Sequence, residues 1–424
     1  MKIFQTKVFL ILGAFALLII SLIVLKTGIF NRPYHIKGIE EVGVSFDELK
    51  IPENTKVVGI GEATHGNAEF QEAKLDMLKK LVNNGTCHAI AFEMSPAEAA
   101  LYNDAIRENE SDLTELIAGT DYPLYDTAQI VELLEYMREY NLSHDESESL
   151  MIYGVDMQTG VRAAEYLYDF CSKNSASFSE EEINTLKTLA ENSDSDYPGA
   201  RDFFYDLSVK LGASDDIFFR DASVVSLSLV QLLDSPSYED KPNDYSVHRD
   251  TCMAENLLSF YNIEKSRGYD QIIITAHNGH VMKYDPADEL DVNMGMKIDE
   301  LFEGSYYCVG TEFYNTCVNV HTAGTYDDEY KRANHDYCSG DLLAYQAKFF
   351  DDGVYCLDFA SVDKKAAGKV YNIIHKQNFT GMAGEGYTTD WEVYKSYRAK
   401  MIAVDHYDAM IYYYETTPID PIHY

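Results

Sequence analysis

Several familiar enzyme signatures are missing from this chain. It has no G-x-S-x-G elbow, no GxxxxGK[ST] loop, no GxGxxG after a strand and no HExxH. A serine hydrolase of the elbow type, a P-loop enzyme, a Rossmann dehydrogenase and a zincin are therefore unsupported. The seven cysteines, at 87, 171, 252, 308, 317, 338 and 356, form no CxxC pair, so a zinc ribbon lacks its ligands. The first of them, Cys87, is too late for a lipobox. Basic residues are scarce, 34 against 70 acidic, giving a net charge of -36. Such a surface repels nucleic acid and anionic headgroups. Glycine (25) and proline (10) are not enriched, and there is no internal repeat or low-complexity tract.

What remains is ordinary globular composition, 46% hydrophobic and 25% charged, in 424 residues. The N-terminal 1–32 is a separate object. Residues 8–25 form an uncharged apolar run, with Lys2 and Lys7 before it and Lys26 and Arg32 after it. Its 18 residues are near the minimum for a membrane-spanning helix, and no A-x-A-like cleavage site follows. It reads as an uncleaved signal anchor rather than a cleaved signal peptide. Either places residues 33–424 outside the cytoplasm, and the anchor makes the chain a single-pass membrane protein.

Seven short apolar runs, at 56–60, 88–92, 150–155, 271–275, 306–311, 354–359 and 410–414, read as strands covered on both faces. Helical patterns separate them. Residues 69–83 carry Phe70, Ala73, Leu75, Leu78 and Leu81 at helical spacing, and Asn84-Gly85 closes them. Ser95-Pro96 opens a second helix, and 127–140 forms a third. The stretch 160–268 has no convincing strand and five helical patterns. The expected fold is α/β: a mostly parallel central sheet flanked by helices, with a helical insertion of about 100 residues at about 160–268. The polar stretch 324–340 reads as a loop.

Two strand ends carry the chemistry. VVGIGEATHG (57–66) runs into a turn holding Glu62, Thr64 and His65, and QIIITAHNGHV (271–281) ends in His277 and His280. Sites of open α/β sheets lie outside the carboxyl ends of strands, so the two turns point to one shared site. His65 suits a general base with Glu62 to orient it, and also suits a structural, hydrogen-bonded role. Glu93, ending HAIAFE, is a second carboxylate at the same sheet edge if the strands are neighbours. His277 and His280 suit substrate binding, oxyanion stabilisation or metal ligation. Asp156 ends a third strand, and Arg249-Asp250 opens a helix.

In this order GEATHG-x-x-EF, AFE, EYMREYN, YGVDMQ, HRDTCMAEN, ITAHNGHV and YDAMIYYYETTPI resemble the erythromycin esterase family, over roughly residues 40 to 424. That family also contains proteins labelled as succinoglycan biosynthesis proteins. The resemblance implies an α/β core with a helical insertion, and hydrolysis of an ester or lactone by a His-activated water. It casts His65 as general base and Glu62, Glu93, His277 and His280 as the other active-site residues; Lys74, Asp156 and Arg249 are expected to contact substrate. The family usually has Arg where this chain has Lys74, which keeps the charge but loses the bidentate fork. The expected partner is a small-molecule or polysaccharide ester, with the membrane held through the N-terminal segment. No cofactor and no nucleic acid are expected. Two alternatives stay open: a metal-dependent hydrolase using the same His/Glu site, and a non-catalytic, membrane-tethered polysaccharide-binding protein.

Overall fold

A computed structural model describes residues 33–120, 122–191, 197–284, 292–322, 331–387, 395 and 397–423. The anchor expected at 8–25 lies outside these. Among the described residues no helix is long and apolar enough to cross a membrane. The strands are β1 (Val57–Glu62), β2 (Cys87–Phe92), β3 (Met151–Gly154), β4 (Gln271–His277), β5 (Tyr306–Thr322), β6 (Arg332–Cys338), β7 (Val354–Asp358), β8 (Asn378–Gly381), β9 (Gly386–Tyr387), β10 (Arg398–Met401) and β11 (Ala409–Thr416).

The main sheet runs β3-β2-β4-β1-β5-β11-β7. Every pairing from β3 to β11 is parallel, and only the edge strand β7 is antiparallel on that path. β1, β2 and β3 are buried at every residue, as unbroken apolar runs require when helices cover both faces. The helix Ala68–Asn83 buries Phe70, Ala73, Leu78 and Leu81 on the face toward the sheet. Ser95 caps the helix Pro96–Ala105 by accepting from Ala97 N, and Thr127 caps Ala128–Ser143 by accepting from Ile130 N.

The decisive feature is the place of β4. It inserts between β1 and β2, although both precede it in the chain. Glu62 pairs in register with His277, and Phe92 with both Thr275 and Gly154. The carboxyl ends of β1, β4, β2 and β3 therefore stand in a row and deliver Glu62, His277, Glu93 and Asp156 to one edge.

The stretch expected as an insertion folds as helices Ala163–Lys173, Glu180–Ala190, Arg201–Gly212, Ile217–Leu233 and Pro242–Arg267. The first four enclose an apolar core, including Leu167, Phe204, Leu211 and Leu229, that also takes in Ala97 and Ala100 of the helix Pro96–Ala105. One difference from the sequence reading lies at 324–340: its second half is β6, antiparallel to the extended end of β5. Its residues alternate only weakly in polarity. The pairing rests on β5 running on to Thr322, well past the apolar stretch. All seven cysteines are free thiols.

The last helix of the insertion is tied to the sheet through Asn256, which is fully buried. Its Nδ2 donates to Val155 O and to Gln231 Oε1, both at 2.9 Å, while Gln231 Nε2 donates back to Asn256 Oδ1. Asn256→Ala strands these groups and is expected to cost about 1–3 kcal/mol. Urea denaturation checks this; an unchanged midpoint would show that water replaces the amide.

Candidate active site

The turn after β1 is locked before any side chain reacts. Asn67 Nδ2 donates to Thr316 Oγ1 (2.8 Å), Cys317 O (3.0 Å) and Thr417 O (2.9 Å). Gly66 lies so close to β5 that a Cβ there would sit 2.0 Å from Asn319 O. The last glycine of GEATHG is thus a packing requirement. The turn after β4 is fixed to β5 by Asn278, whose Nδ2 donates to Thr311 O at 2.8 Å.

Glu62 is buried, and three groups hold it. His65 Nδ1 lies 3.0 Å from Oε1, while Lys74 Nζ (3.0 Å) and Gln71 Nε2 (3.2 Å) contact Oε2. Burial alone raises the Glu62 pKa, but the Lys74 ammonium and His65 outweigh it and hold the carboxyl below its ordinary range. The Nδ1–H of His65 is committed to this carboxylate, which leaves Nε2 as the basic nitrogen. Burial works against the His65 imidazolium; Glu62, by charge and hydrogen bond, and Glu93 reverse that, so its pKa is raised.

Glu93 is the second buried carboxylate. Arg249 Nη2 donates to its Oε1 at 2.6 Å, His280 Nε2 lies 3.3 Å from the same oxygen, and His277 N donates to Oε2 at 2.9 Å. Burial again opposes the charge; His280, Arg249 and His65 prevail and push the pKa far down. Arg249 is in turn clasped by Asp156, Nε to Oδ1 and Nη2 to Oδ2, both at 2.9 Å. His280 Nδ1 stands 2.8 Å from Asp250 Oδ1, and the pair raises the His280 pKa against its burial.

His277 differs from the other two histidines. Burial, His65 and His280 all depress its pKa, to about 3. The ring is neutral at any physiological pH. Its Nδ1 accepts from Gly279 N at 3.2 Å, which puts the proton on Nε2. That Nε2 is buried and has no hydrogen-bond partner. The rings of His65 and His277 lie 5.3 Å apart. An imidazole held by its Nδ1 and one with an unpaired Nε2–H thus lie side by side.

A cleft of about 600 Å³ opens onto His277, His280 and Arg249, with Gln158, Tyr238, Tyr245, Ser246, Met282 and Met382 on its walls. Of the expected substrate contacts only Arg249 lines it. Asp156 is fully buried behind Arg249, and Lys74 is buried behind Glu62 with Nζ 5.1 Å from the Tyr125 ring centroid and 5.5 Å from that of Phe92. Both are in place to hold other charges. Among the described residues no group of three or more His, Cys, Asp or Glu is disposed to hold a metal ion.

Sequence reasoning missed Gln71, Asp250 as partner of His280, and the tyrosine wall. Gln71 sits one helical turn before Lys74, a spacing that was readable. Tyr238 and Tyr245 are two among 33 tyrosines and carry no local signal.

The sequence profile of erythromycin esterase matches residues 82–216 and 212–416. YbfO of Bacillus subtilis (strain 168), whose designation as a hydrolase is provisional, is 27% identical over 111 residues, 26% of this chain and 24% of that protein. The match thus spans about a quarter of the length of that curated relative. Among solved structures, a Bacillus cereus protein superposes with a TM-score of 0.70 at 16% identity, covering 91% of this chain and 98% of its own. A succinoglycan biosynthesis protein gives 0.70 at 15%, covering 91% and 97%. A mutant of the erythromycin esterase EreC in its open conformation gives 0.59 at 16%, covering 86% and 91%. At these identities the likeness is one of fold.

The placement of Lys74 yields a test. Lys74→Met leaves the Glu62 carboxylate buried without its cation and is expected to destabilise by about 3–5 kcal/mol. Adding Glu62→Gln should recover much of the loss. Thermal unfolding of the single and double variants decides; equal losses from the two would show that the pair is not coupled.

Proposed function

Because the chain belongs to the erythromycin esterase family, we propose that it is a hydrolase that cleaves a carboxylic ester or lactone with water activated by His65. One observation carries the reading. The ring of His65, whose Nδ1 is held by Glu62, lies 5.3 Å from that of His277, which lines the cleft and whose Nε2 is buried and unpaired.

The steps follow from these groups. His65 Nε2 takes a proton from water as its oxygen adds to the ester carbonyl carbon. The carbonyl oxygen becomes an oxyanion and accepts the Nε2–H of His277, a donor that is already desolvated and fixed. The imidazolium of His65 then returns its proton to the leaving oxygen as the C–O bond breaks. The products are an acid and an alcohol, joined in one molecule if the substrate is a lactone. Arg249 and His280 keep Glu93 ionised, and Glu93 holds the His277 backbone, hence its ring. The metal-assisted alternative is disfavoured because Glu62 and Glu93 already bind Lys74 and Arg249.

The anchor reading of residues 8–25 places this activity on the outer side of a membrane. Protease added to intact cells should then degrade residues 33–424; complete protection would overturn that placement.

His65→Ala should lower turnover of a confirmed ester by about 10²–10⁴-fold. The pH profile carries a sign. A base works only when deprotonated, so kcat/KM should climb as pH rises through the His65 pKa, which lies above the ordinary 6.5. His277 is neutral throughout this range, so it adds no second limb. Glu62→Gln removes the carboxylate that raises that pKa and should move the limb to lower pH. A limb that stays in place in Glu62→Gln would show that His65 is not the titrating base.

A further inference from the structure

The walls of the cleft differ from its floor. Tyr238 and Tyr245, from the helical insertion, meet edge to face with centroids 5.5 Å apart, and Tyr238 is 64% exposed. Met282 and Met382 line the same space from the parts of the chain after β4 and β8, and the Met382 methyl would lie 3.6 Å from a Cβ at Gly279. Aromatic faces and flexible thioethers contact bulky apolar groups well. The charges point the same way. Arg249 lines the cleft with its Nε, Nη1 and Nη2 all engaged by Asp156, His280 and Glu93, and His280, whose pKa is raised, lines it with its two ring nitrogens held against Asp250 and Glu93. Lys74 is sealed behind Glu62. Glu62, Glu93, Asp156 and Asp250 thus take up Lys74, Arg249, His65 and His280, on a chain of net charge -36. An entering anion finds no cation free to bind it and a negative field besides.

We propose that this site selects uncharged esters bearing a bulky apolar group, with Tyr238, Tyr245, Met282 and Met382 as the specificity-determining wall, and that it rejects anionic esters. The proposal rests on the hydrolytic reading above. It has a corollary for turnover. Hydrolysis converts the neutral ester into a carboxylate, and the same field that excludes an anionic substrate expels the anionic product.

The test uses the full-length chain and three 4-nitrophenyl esters: valerate, the similarly sized anionic monosuccinate, and cyclohexanecarboxylate. kcat/KM should be at least about tenfold lower for the monosuccinate than for the valerate, and highest for the cyclohexanecarboxylate. Raising salt should narrow the first gap, since screening weakens the field. Tyr238→Ala and Tyr245→Ala should each cut the cyclohexanecarboxylate-to-valerate preference about fivefold, through KM rather than kcat. Equal or better use of the monosuccinate, or an unchanged preference in both tyrosine variants, would overturn the proposal. Failure to hydrolyse any ester would count against the hydrolytic reading alone. Calorimetric binding of the matching anilides then decides selectivity: tighter binding of the neutral bulky anilide supports it, and tighter binding of the anionic one overturns it.

Discussion

Two carboxylates buried at the end of a parallel sheet must stay ionised, and the rest of the site follows from how that is achieved. Glu62 and Glu93 flank β4, one on the strand to each side. A buried carboxylate without a partner would take up a proton. Here each has a cation brought by a helix: Lys74 from the helix after β1, and Arg249 from the helix that enters β4. Other polar contacts support these two pairs. Gln71 braces Lys74 and Glu62, Asp156 braces Arg249, and Asp250 braces His280.

This arrangement divides the labour among three histidines that are alike in sequence. His65 lies against an anion and becomes a stronger base. His280 lies between two anions and is likewise raised. His277 touches no carboxylate with its ring, receives a backbone N–H on Nδ1, and sits near the other two histidines. It therefore stays neutral and keeps a free donor. The difference is set by which nitrogen is already occupied and by what charge occupies it.

The helical insertion is part of the site. Its longest helix carries Tyr245, Arg249 and Asp250, and the loop before it carries Tyr238. The sheet supplies His65 and His277. The insertion supplies the cation that fixes Glu93 and the two tyrosines on the wall of the cleft. Strand ends in a parallel sheet are rigid, whereas insertions vary without disturbing the core, so the proposed chemistry and the proposed selectivity fall in different parts of one chain.

The sequence by itself determined much of this. Unbroken apolar runs specified strands buried on both faces, helical spacing placed the flanking helices, and GEATHG and AHNGH marked the ends that bear histidines. These are local signals, each readable within about ten residues. Only the tertiary structure decided the rest. It placed β4 between β1 and β2, which brings His277 beside Glu62 and Glu93. It turned Lys74 and Asp156 inward to hold charge, where a contact with substrate had been expected. It extended β5 far enough to pair a polar segment as β6. It brought two tyrosines of the insertion over histidines from the sheet. Each of these depends on which strands become neighbours and which side chains are shut away from water. No local window of sequence contains that information, because strand order and burial are properties of the packed chain.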